Sequence, residues 1–106
     1  MKRPTFIFKN SDGIKYTFKF GKTYAFYRRR GTKKGVRLKG SCQTPYYKRP
    51  KIIIDESLAS NKTELSVIIE EMAHAFFWDK KEKQVRPFAT QLTKILYKLG
   101  WRKIKQ

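Results

Sequence analysis

One stretch of the sequence predicts a helix that is apolar on nearly every side. Apolar residues recur at three- and four-residue spacing over about residues 62–78, which is typical of a helix. The residues expected to face the core are Leu65, Ile68, Ile69, Met72 and Phe76. The opposite side carries Glu70, Glu71 and His74 among apolar neighbours such as Val67. Since buried carboxylates and imidazoles need a partner or a ligand, a fold that encloses this helix must also satisfy these side chains.

The acidic residues are concentrated around the only histidine, His74. Four of the eight lie within thirteen positions of each other: Glu70, Glu71, Asp79 and Glu82. Glu70 and His74 are one helical turn apart on the same face, with Glu71 beside them, and two side chains at this spacing can hold one metal ion while a neighbouring carboxylate moves a proton. A ligand-free interpretation is also open. Glu71 and His74 could satisfy each other, or pair with cations of the sheet.

Strand patterns occupy the first half of the chain. In order they cover residues 5–9, 14–20, 36–39 and 51–55, with a further strand possible at 22–28. The first two flank the turn sequence at 10–13 and predict a hairpin with one buried face. The last, KIIID, is the most hydrophobic and is expected inside the sheet or against the helix.

A second helix is expected over about residues 82–100. Its buried stripe is expected to contain Val85, Phe88, Ala89, Leu92, Ile95, Leu96 and Leu99. Asn61 is the expected cap of the first helix and Asp79 that of the second, and Pro87 requires either a start near Gln84 or a kink. The sequence therefore predicts an α+β fold, in which a small antiparallel or mixed sheet packs on two C-terminal helices.

Length and composition favour a single folded domain over residues 1–106, with 40% hydrophobic residues. No apolar run is long enough for a membrane span, and the N-terminal residues lack the pattern of a signal peptide, so a cytoplasmic protein without membrane contact is expected. The single cysteine, Cys42, cannot form an internal disulfide and is expected to be a packing residue.

The chain carries 26 Lys and Arg against eight acids, a formal charge of +18. Seven of the twelve residues from 28 to 39 are cationic and follow aromatic residues, which predicts a flexible basic loop able to contact DNA or RNA. These residues are Arg28, Arg29, Arg30, Lys33, Lys34, Arg37 and Lys39. A solvated loop without a partner is the alternative, since so high a charge attracts polyanions in any case.

The stretch IIEEMAH at 68–74 resembles the zinc-peptidase motif HExxH, with Glu70 where the first histidine stands. The stretch of about residues 36–102 is similar to small phage-type SprT-like or minigluzincin metallopeptidases. The likeness rests further on Ile54-Asp55, the Ser-Leu turn after them, His74-Ala75, Phe77-Trp78-Asp79 and Leu99-Gly100-Trp101-Arg102.

The resemblance implies a zinc-dependent hydrolase with a polypeptide substrate, in the cytoplasm of a host cell if the chain is phage-encoded. By position, His74 would bind zinc or another divalent metal, and Glu71 would be the general base that activates water. The family's remaining ligand is a carboxylate on the second helix, for which Glu82 is the candidate, although Glu82 could equally be only a capping residue of that helix. Glu70 would complete an oxygen-rich ligand set. The alternative is an inactive, peptidase-derived fold that binds nucleic acid. A peptidase acting on nucleic-acid-associated proteins would combine both features.

Overall fold

A computed structural model describes residues 3–29 and 32–103, with the backbone alone at 26–29 and 32–34. Six strands precede two helices, which confirms the predicted α+β class. The elements are β1 (Phe6–Lys9), β2 (Lys15–Gly21), β3 (Tyr24–Arg29), β4 (Thr32–Arg37), β5 (Gly40–Cys42), β6 (Lys51–Asp55), α1 (Asn61–Phe76) and α2 (Glu82–Lys98). Within this described part of the chain, neither helix has the length and apolar character that crossing a bilayer requires.

The main sheet is mixed and has the strand order β1-β2-β6-β5. β1 and β2 form the predicted antiparallel hairpin, β6 runs parallel to β2, and β5 is antiparallel to β6. The deepest core lies between this sheet and α1, where Tyr16, Ile52 and Ile54 are fully buried and pack near Val67 and Ala75. The expectation that KIIID lies inside the sheet is therefore confirmed.

Asn10 fixes both the first hairpin and the end of α1. Its side-chain oxygen accepts hydrogen bonds from the backbone N–H groups of Asp12 and Ile14, while Gly13 adopts the positive φ of 77° that the turn requires. Its amide group donates to the carbonyl of Ala75 at 3.1 Å. One buried side chain thus joins the sheet to the helix that carries the acidic cluster.

β3 and β4 form a separate two-stranded ribbon. Two predictions are wrong here, because most of the expected basic loop is paired as strand, and the strand expected near 36–39 ends at Arg37. The strand that follows β4 in the chain is β5, at 40–42, and it is the neighbour of β6 in the main sheet. Cross-strand pairs such as Ala25 with Val36 outweigh the low strand propensity of the lysines and glycine in β4. Residues 30 and 31 lie outside the described residues.

A bidentate ion pair fastens the ribbon to the main sheet. The Arg37 Nε and Nη2 atoms each donate to one oxygen of Asp55 at 2.8 Å, at the end of β6. Asp55 also accepts from the backbone N–H and the hydroxyl group of Ser57 at 2.9 Å. These hydrogen bonds, that of Arg37 first, lower the pKa of Asp55 to about 2.

Replacement of Asp55 by asparagine should flatten the acid limb of the curve of unfolding free energy against pH. The pKa of Asp55 is lower in the folded state than the value of about 3.9 expected in the unfolded chain, so its contribution to stability is complete above that value and is lost as the pH falls towards 2. Urea unfolding between pH 6 and pH 2.5 measures this. The exposed Asp79→Asn variant is the control and should keep the wild-type pH dependence; an unchanged acid limb in Asp55→Asn would contradict the assignment.

Both helices begin one or more residues away from the predicted caps. Ser60, not Asn61, caps α1, and its hydroxyl oxygen accepts from the N–H of Thr63 at 3.1 Å. α2 is preceded by Lys81, whose N–H donates to the side chain of Gln84 at 3.2 Å, so Asp79 is not its cap. α2 begins at Glu82 rather than near Gln84, so Pro87 lies inside the helix and not in its first turn. Gly100, with a φ of 95°, follows the end of α2 as expected.

The deepest stripe of α1 is not the predicted one. Glu64, Val67, Glu71 and Ala75 are buried, whereas the stripe containing Leu65, Ile68 and Met72 is only half-buried. The reason is that α1 packs over β5 and β6, with its acidic side towards the sheet. The second half of the helix has no exposed face up to residue 76, as the apolar pattern predicts, because every residue from 69 to 76 is buried or half-buried.

α2 buries small side chains rather than the large ones. Val85, Ala89 and Thr93 are buried along α2, which packs on α1. The prediction is wrong for Phe88, Ile95 and Leu99, which are all more than half exposed. Small residues on the packed face leave these larger side chains outside the interface.

Close approach between β5 and α1 requires a glycine at position 40. A Cβ atom there would lie 2.6 Å from Val67 Cγ1 and 3.1 Å from Glu71 Oε2. Both of these side chains are buried. β5 can therefore lie directly against the acidic face of α1 only while residue 40 has no side chain.

Gly40→Ala should destabilise the fold by roughly 1–3 kcal/mol, the usual cost of overpacking. Gly21→Ala is the matched control, because a Cβ atom at position 21 meets only Ile53 Cγ2, at an ordinary 3.7 Å. It should be neutral, or stabilising by about 0.4–1 kcal/mol through the unfolded state. Urea unfolding of the two variants measures both free energies, and equal effects would contradict the proposed close packing.

Candidate metal centre

Three side chains from the two helices bring possible metal-ligating atoms together. Glu70 and His74 lie one turn apart on α1, and Glu82 is the first residue of α2. One ligand atom from each lies within 4.8 Å of the other two, and His74 Nε2 is 3.2 Å from Glu82 Oε2. Two ligands about 2.1 Å from one tetrahedral ion are roughly 3.4 Å apart. The His74–Glu82 separation therefore matches two ligands of one cation, while all separations in the set are no longer than 4.8 Å.

Arg86 also belongs to this cluster, although the sequence interpretation missed it. Its Nε atom is 3.5 Å from Glu70 Oε1, and its Nη2 atom is 3.5 Å from Glu82 Oε1. The available signal was the four-residue spacing of Glu82 and Arg86 on α2. The guanidinium group would compete with a metal ion for the same carboxylates.

The carboxyl groups of Glu70 and Glu82 titrate as a pair. Burial is the main reason why the pKa of Glu70 is raised to about 7, and its hydrogen bond with Glu82 adds to the effect. The same hydrogen bond is the main cause that lowers the pKa of Glu82, with smaller contributions from His74 and Arg86. A proton on this pair is therefore favoured at Glu70 rather than at Glu82. A divalent cation could take the place of that proton.

Glu71 is the most buried acid near the cluster, with 9% of its surface exposed. Burial raises its pKa to about 7, and the charges of Glu70 and Glu82 add to this. His74 pairs with Glu82 rather than with Glu71. Among the described residues, no hydrogen bond or ion pair satisfies the Glu71 carboxylate. A buried carboxylate without a partner, and with a pKa near neutrality, suits a group that exchanges protons.

A polar cleft of about 650 Å³ opens beside Glu70 and Glu71. β5 and the residues before it form one side, and the facing parts of α1 and α2 form the other. Its cationic lining consists of Lys39, Lys62, Arg86 and Lys94. Glu70 is shared by the cleft and by the cluster with His74 and Glu82. A substrate in this cleft would lie next to the candidate metal ligands. The cationic lining would favour a substrate that itself carries acidic groups.

Cys42 is a packing residue rather than a nucleophile. It is half-buried against the core formed around Tyr16. Burial raises the pKa of its thiol to about 12, and the Glu71 carboxylate adds to the shift. The thiol is therefore neutral near pH 7, when its nucleophilicity is low.

The candidate nucleic-acid residues fall in different places. Arg37 is engaged with Asp55 at the base of the ribbon, and Lys39 lines the cleft. The strand register pairs position 28 with 33 and position 27 with 34. The side chains of Arg28, Arg29, Lys33 and Lys34, and the whole of Arg30, lie outside the described residues.

In comparisons with known proteins, no family model, curated protein or solved structure matches this chain. The resemblance of residues 36–102 to small metallopeptidases therefore stays a prediction from the motif.

Proposed function

We propose that the chain is a metal-dependent, peptidase-like hydrolase. In this proposal Glu70, His74 and Glu82 bind zinc or another divalent cation, and Glu71 is the general base. The observation that carries it is the convergence of the three possible ligands beside the largely buried Glu71, which lines the same cleft as Glu70. The motif resemblance adds support, since it assigns the same roles to the same positions.

A divalent metal bound there would supply Lewis acidity to a carbonyl group and to water. Glu71 would take a proton from the attacking water and return it to the amine that leaves when the C–N bond breaks. A ligand set with two carboxylates and one imidazole is richer in oxygen than the usual zinc-peptidase set, which favours manganese as well as zinc. The lysines of the cleft would attract substrates with acidic side chains.

The activity is tested with casein, an unfolded and acidic substrate, using protein purified without a polyhistidine tag. Cleavage should require zinc or manganese, stop with a chelator and resume when metal is restored. Acidic peptides provide a second substrate class. The absence of metal-dependent cleavage with both substrates would contradict the proposal, as would cleavage that survives the chelator.

A second candidate function is nucleic-acid binding by the β3–β4 ribbon. The ribbon lies outside the main sheet, and antiparallel ribbons of this kind enter nucleic-acid grooves in other proteins. Its register sets Arg28 opposite Lys33 and Tyr27 opposite Lys34. On β3 the aromatic positions 24, 26 and 27 are therefore followed by the cationic positions 28 and 29, which brings together on one short element the two residue types used in backbone binding with base stacking.

Replacement of Arg28, Arg29 and Arg30 by glutamine should lower the salt dependence of DNA or RNA binding. Each lost phosphate contact reduces the slope of log affinity against log salt by roughly 0.7–0.9, so the triple variant should lose about two to three units. Glutamines at the exposed Lys48, Arg49 and Lys51 provide a control with the same charge change. If both variants lose the same slope, net charge and not the ribbon explains the binding.

A further inference from the structure

An apolar trough lies on the flank of α1 opposite the cleft. Phe6 and Phe20 of the sheet form one wall, Leu65, Ile68 and Met72 of α1 form the floor, and Leu96 and Trp101 form the other wall. Its volume is about 1200 Å³. The floor is the same helical stripe that the sequence pattern assigns to the core, so the trough is where the fold leaves an apolar helix face only half covered.

The trough is open because α1 covers only part of the sheet. α1 packs over β5 and β6 and meets β1 near its own C-terminal end, where Phe8 stacks on Phe76. At the other end of β1, Phe6 is 54% exposed, and Trp101 across the trough is 64% exposed. Single exposed apolar side chains are ordinary, but exposed aromatic residues that line one contiguous apolar trough are typical of a surface that another molecule covers.

The dimensions suit one α-helix. β1 and β2 are neighbouring strands, and at about 4.8 Å per strand they offer a width of roughly 10 Å. A helix with its side chains has a diameter of about 10–12 Å and packs 8–10 Å from a neighbouring helix. An additional helix beside α1 would thus fill the trough and complete the layer on this face of the sheet.

The charged side chains at the rim of the trough determine which charge on such a helix would favour binding. Among the described residues that line it, the cations are Arg3, Arg102 and Lys103, and the carboxylate is Glu64. Glu64 pairs with both Arg3 and Lys103, so one carboxylate offsets two cations. The Arg102 guanidinium lies 3.9 Å above the Tyr97 ring. The rim therefore keeps a positive excess, which complements acidic residues flanking an apolar stripe.

We propose that this trough is the docking site of an acidic amphipathic helix on a partner protein. The binding mode is a helix in a groove, with apolar side chains at three- and four-residue spacing on the floor and carboxylates against Arg3 and Arg102. The proposal is independent of the metal centre, which lies beyond the other flank of α1.

The test uses a designed, fluorescein-labelled peptide of about 14 residues, long enough to span roughly 21 Å as a helix. Leucines at helical spacing form one face and glutamates the other. Fluorescence anisotropy should show saturable binding to the wild-type chain, and a peptide with lysines in place of the glutamates should bind much more weakly. In the Trp78→Phe variant, Trp101 is the remaining tryptophan, and its emission should shift to shorter wavelength on binding.

Neighbouring residues on β1 provide the matched control. Phe6→Ser removes a wall of the trough and should weaken binding by about tenfold or more. Ile7 is 73% exposed and does not line the trough, so Ile7→Ser should bind as the wild type does. Arg102→Glu should likewise weaken binding, and Lys48→Glu should not.

Three results would overturn the proposal. Equal binding of the glutamate and lysine peptides would mean that the rim does not favour an acidic helix. A Trp101 shift with oleate or phosphatidylglycerol vesicles, but not with the peptide, would assign the trough to lipid. Dimers of the chain that are abolished by Phe6→Ser, without peptide binding, would assign it to a second copy of the chain.

Discussion

Glu71→Gln should abolish hydrolysis while leaving metal binding intact. Glutamine has the shape of the native side chain but cannot take a proton from water, and loss of a general base costs about 10²–10⁴-fold in rate. Glu71 is not one of the three converging ligand residues, so the metal affinity should stay within about twofold of wild type, well below the effect of losing a ligand. Casein cleavage and metal titration on the same preparation measure both effects.

Two further observations make the Glu71 result specific. The exposed Glu56→Gln variant should retain the wild-type rate. Thermal unfolding of Glu71→Gln should occur at the wild-type temperature or higher, because the substitution removes a buried carboxylate that lacks a partner among the described residues. A variant with normal metal content, normal stability and normal activity would mean that Glu71 is not the base.

His74→Ala should lower the affinity for zinc by about 100-fold or more, since even second-shell substitutions at metal sites cost 10–100-fold. His74 supplies the only nitrogen ligand in the cluster, and imidazole is the ligand that most favours zinc over magnesium or calcium. Glu82→Gln should act in the same direction. Isothermal titration of the purified protein with zinc measures both variants against the wild type.

Arg86→Gln distinguishes a metal site from an ion-pair network. The Arg86 guanidinium lies 3.5 Å from both Glu70 and Glu82, so its removal frees both carboxylates for a cation. If the cluster binds metal, the variant should bind zinc more tightly than the wild type. If the cluster is only an ion-pair network, Arg86→Gln should instead lower stability without creating a zinc site.

Local patterns in the sequence were sufficient for the class of fold and for the placement of Glu70 beside His74. The helix over 62–78 follows from spacing, and a helical turn places Glu70 beside His74 wherever that helix lies. Glu82 came from the resemblance, and α2 places it within reach because its first residue follows α1 after a short turn. These are short-range relations, which sequence reports well.

Long-range packing decided what the sequence could not show. The spacing of Leu65, Ile68 and Met72 identified an apolar stripe, but only the position of β5 against Val67 and Glu71 determined that the acidic side would be buried deeper. Gly40 makes this contact possible, and a single glycine carries no such information in the sequence.

Pairing between distant residues explains the remaining differences. The sequence did not predict the ribbon because its strand β4 contains lysines and a glycine, which are unfavourable in strands. The pairing of β4 with β3 would have had to be known first. Arg37, interpreted as a nucleic-acid contact, forms its ion pair with Asp55, eighteen positions away. Arg86 was missed because its contacts with Glu70 cross between two helices.

The most direct test of the proposed metal centre is the metal stoichiometry of the untagged protein. Inductively coupled plasma analysis, after purification without chelators and dialysis against zinc or manganese, should find one equivalent of metal per chain in the wild type and in Glu71→Gln. His74→Ala should contain much less. A wild-type protein that retains no stoichiometric divalent metal, and shows no saturable heat in a zinc titration, would contradict the proposal.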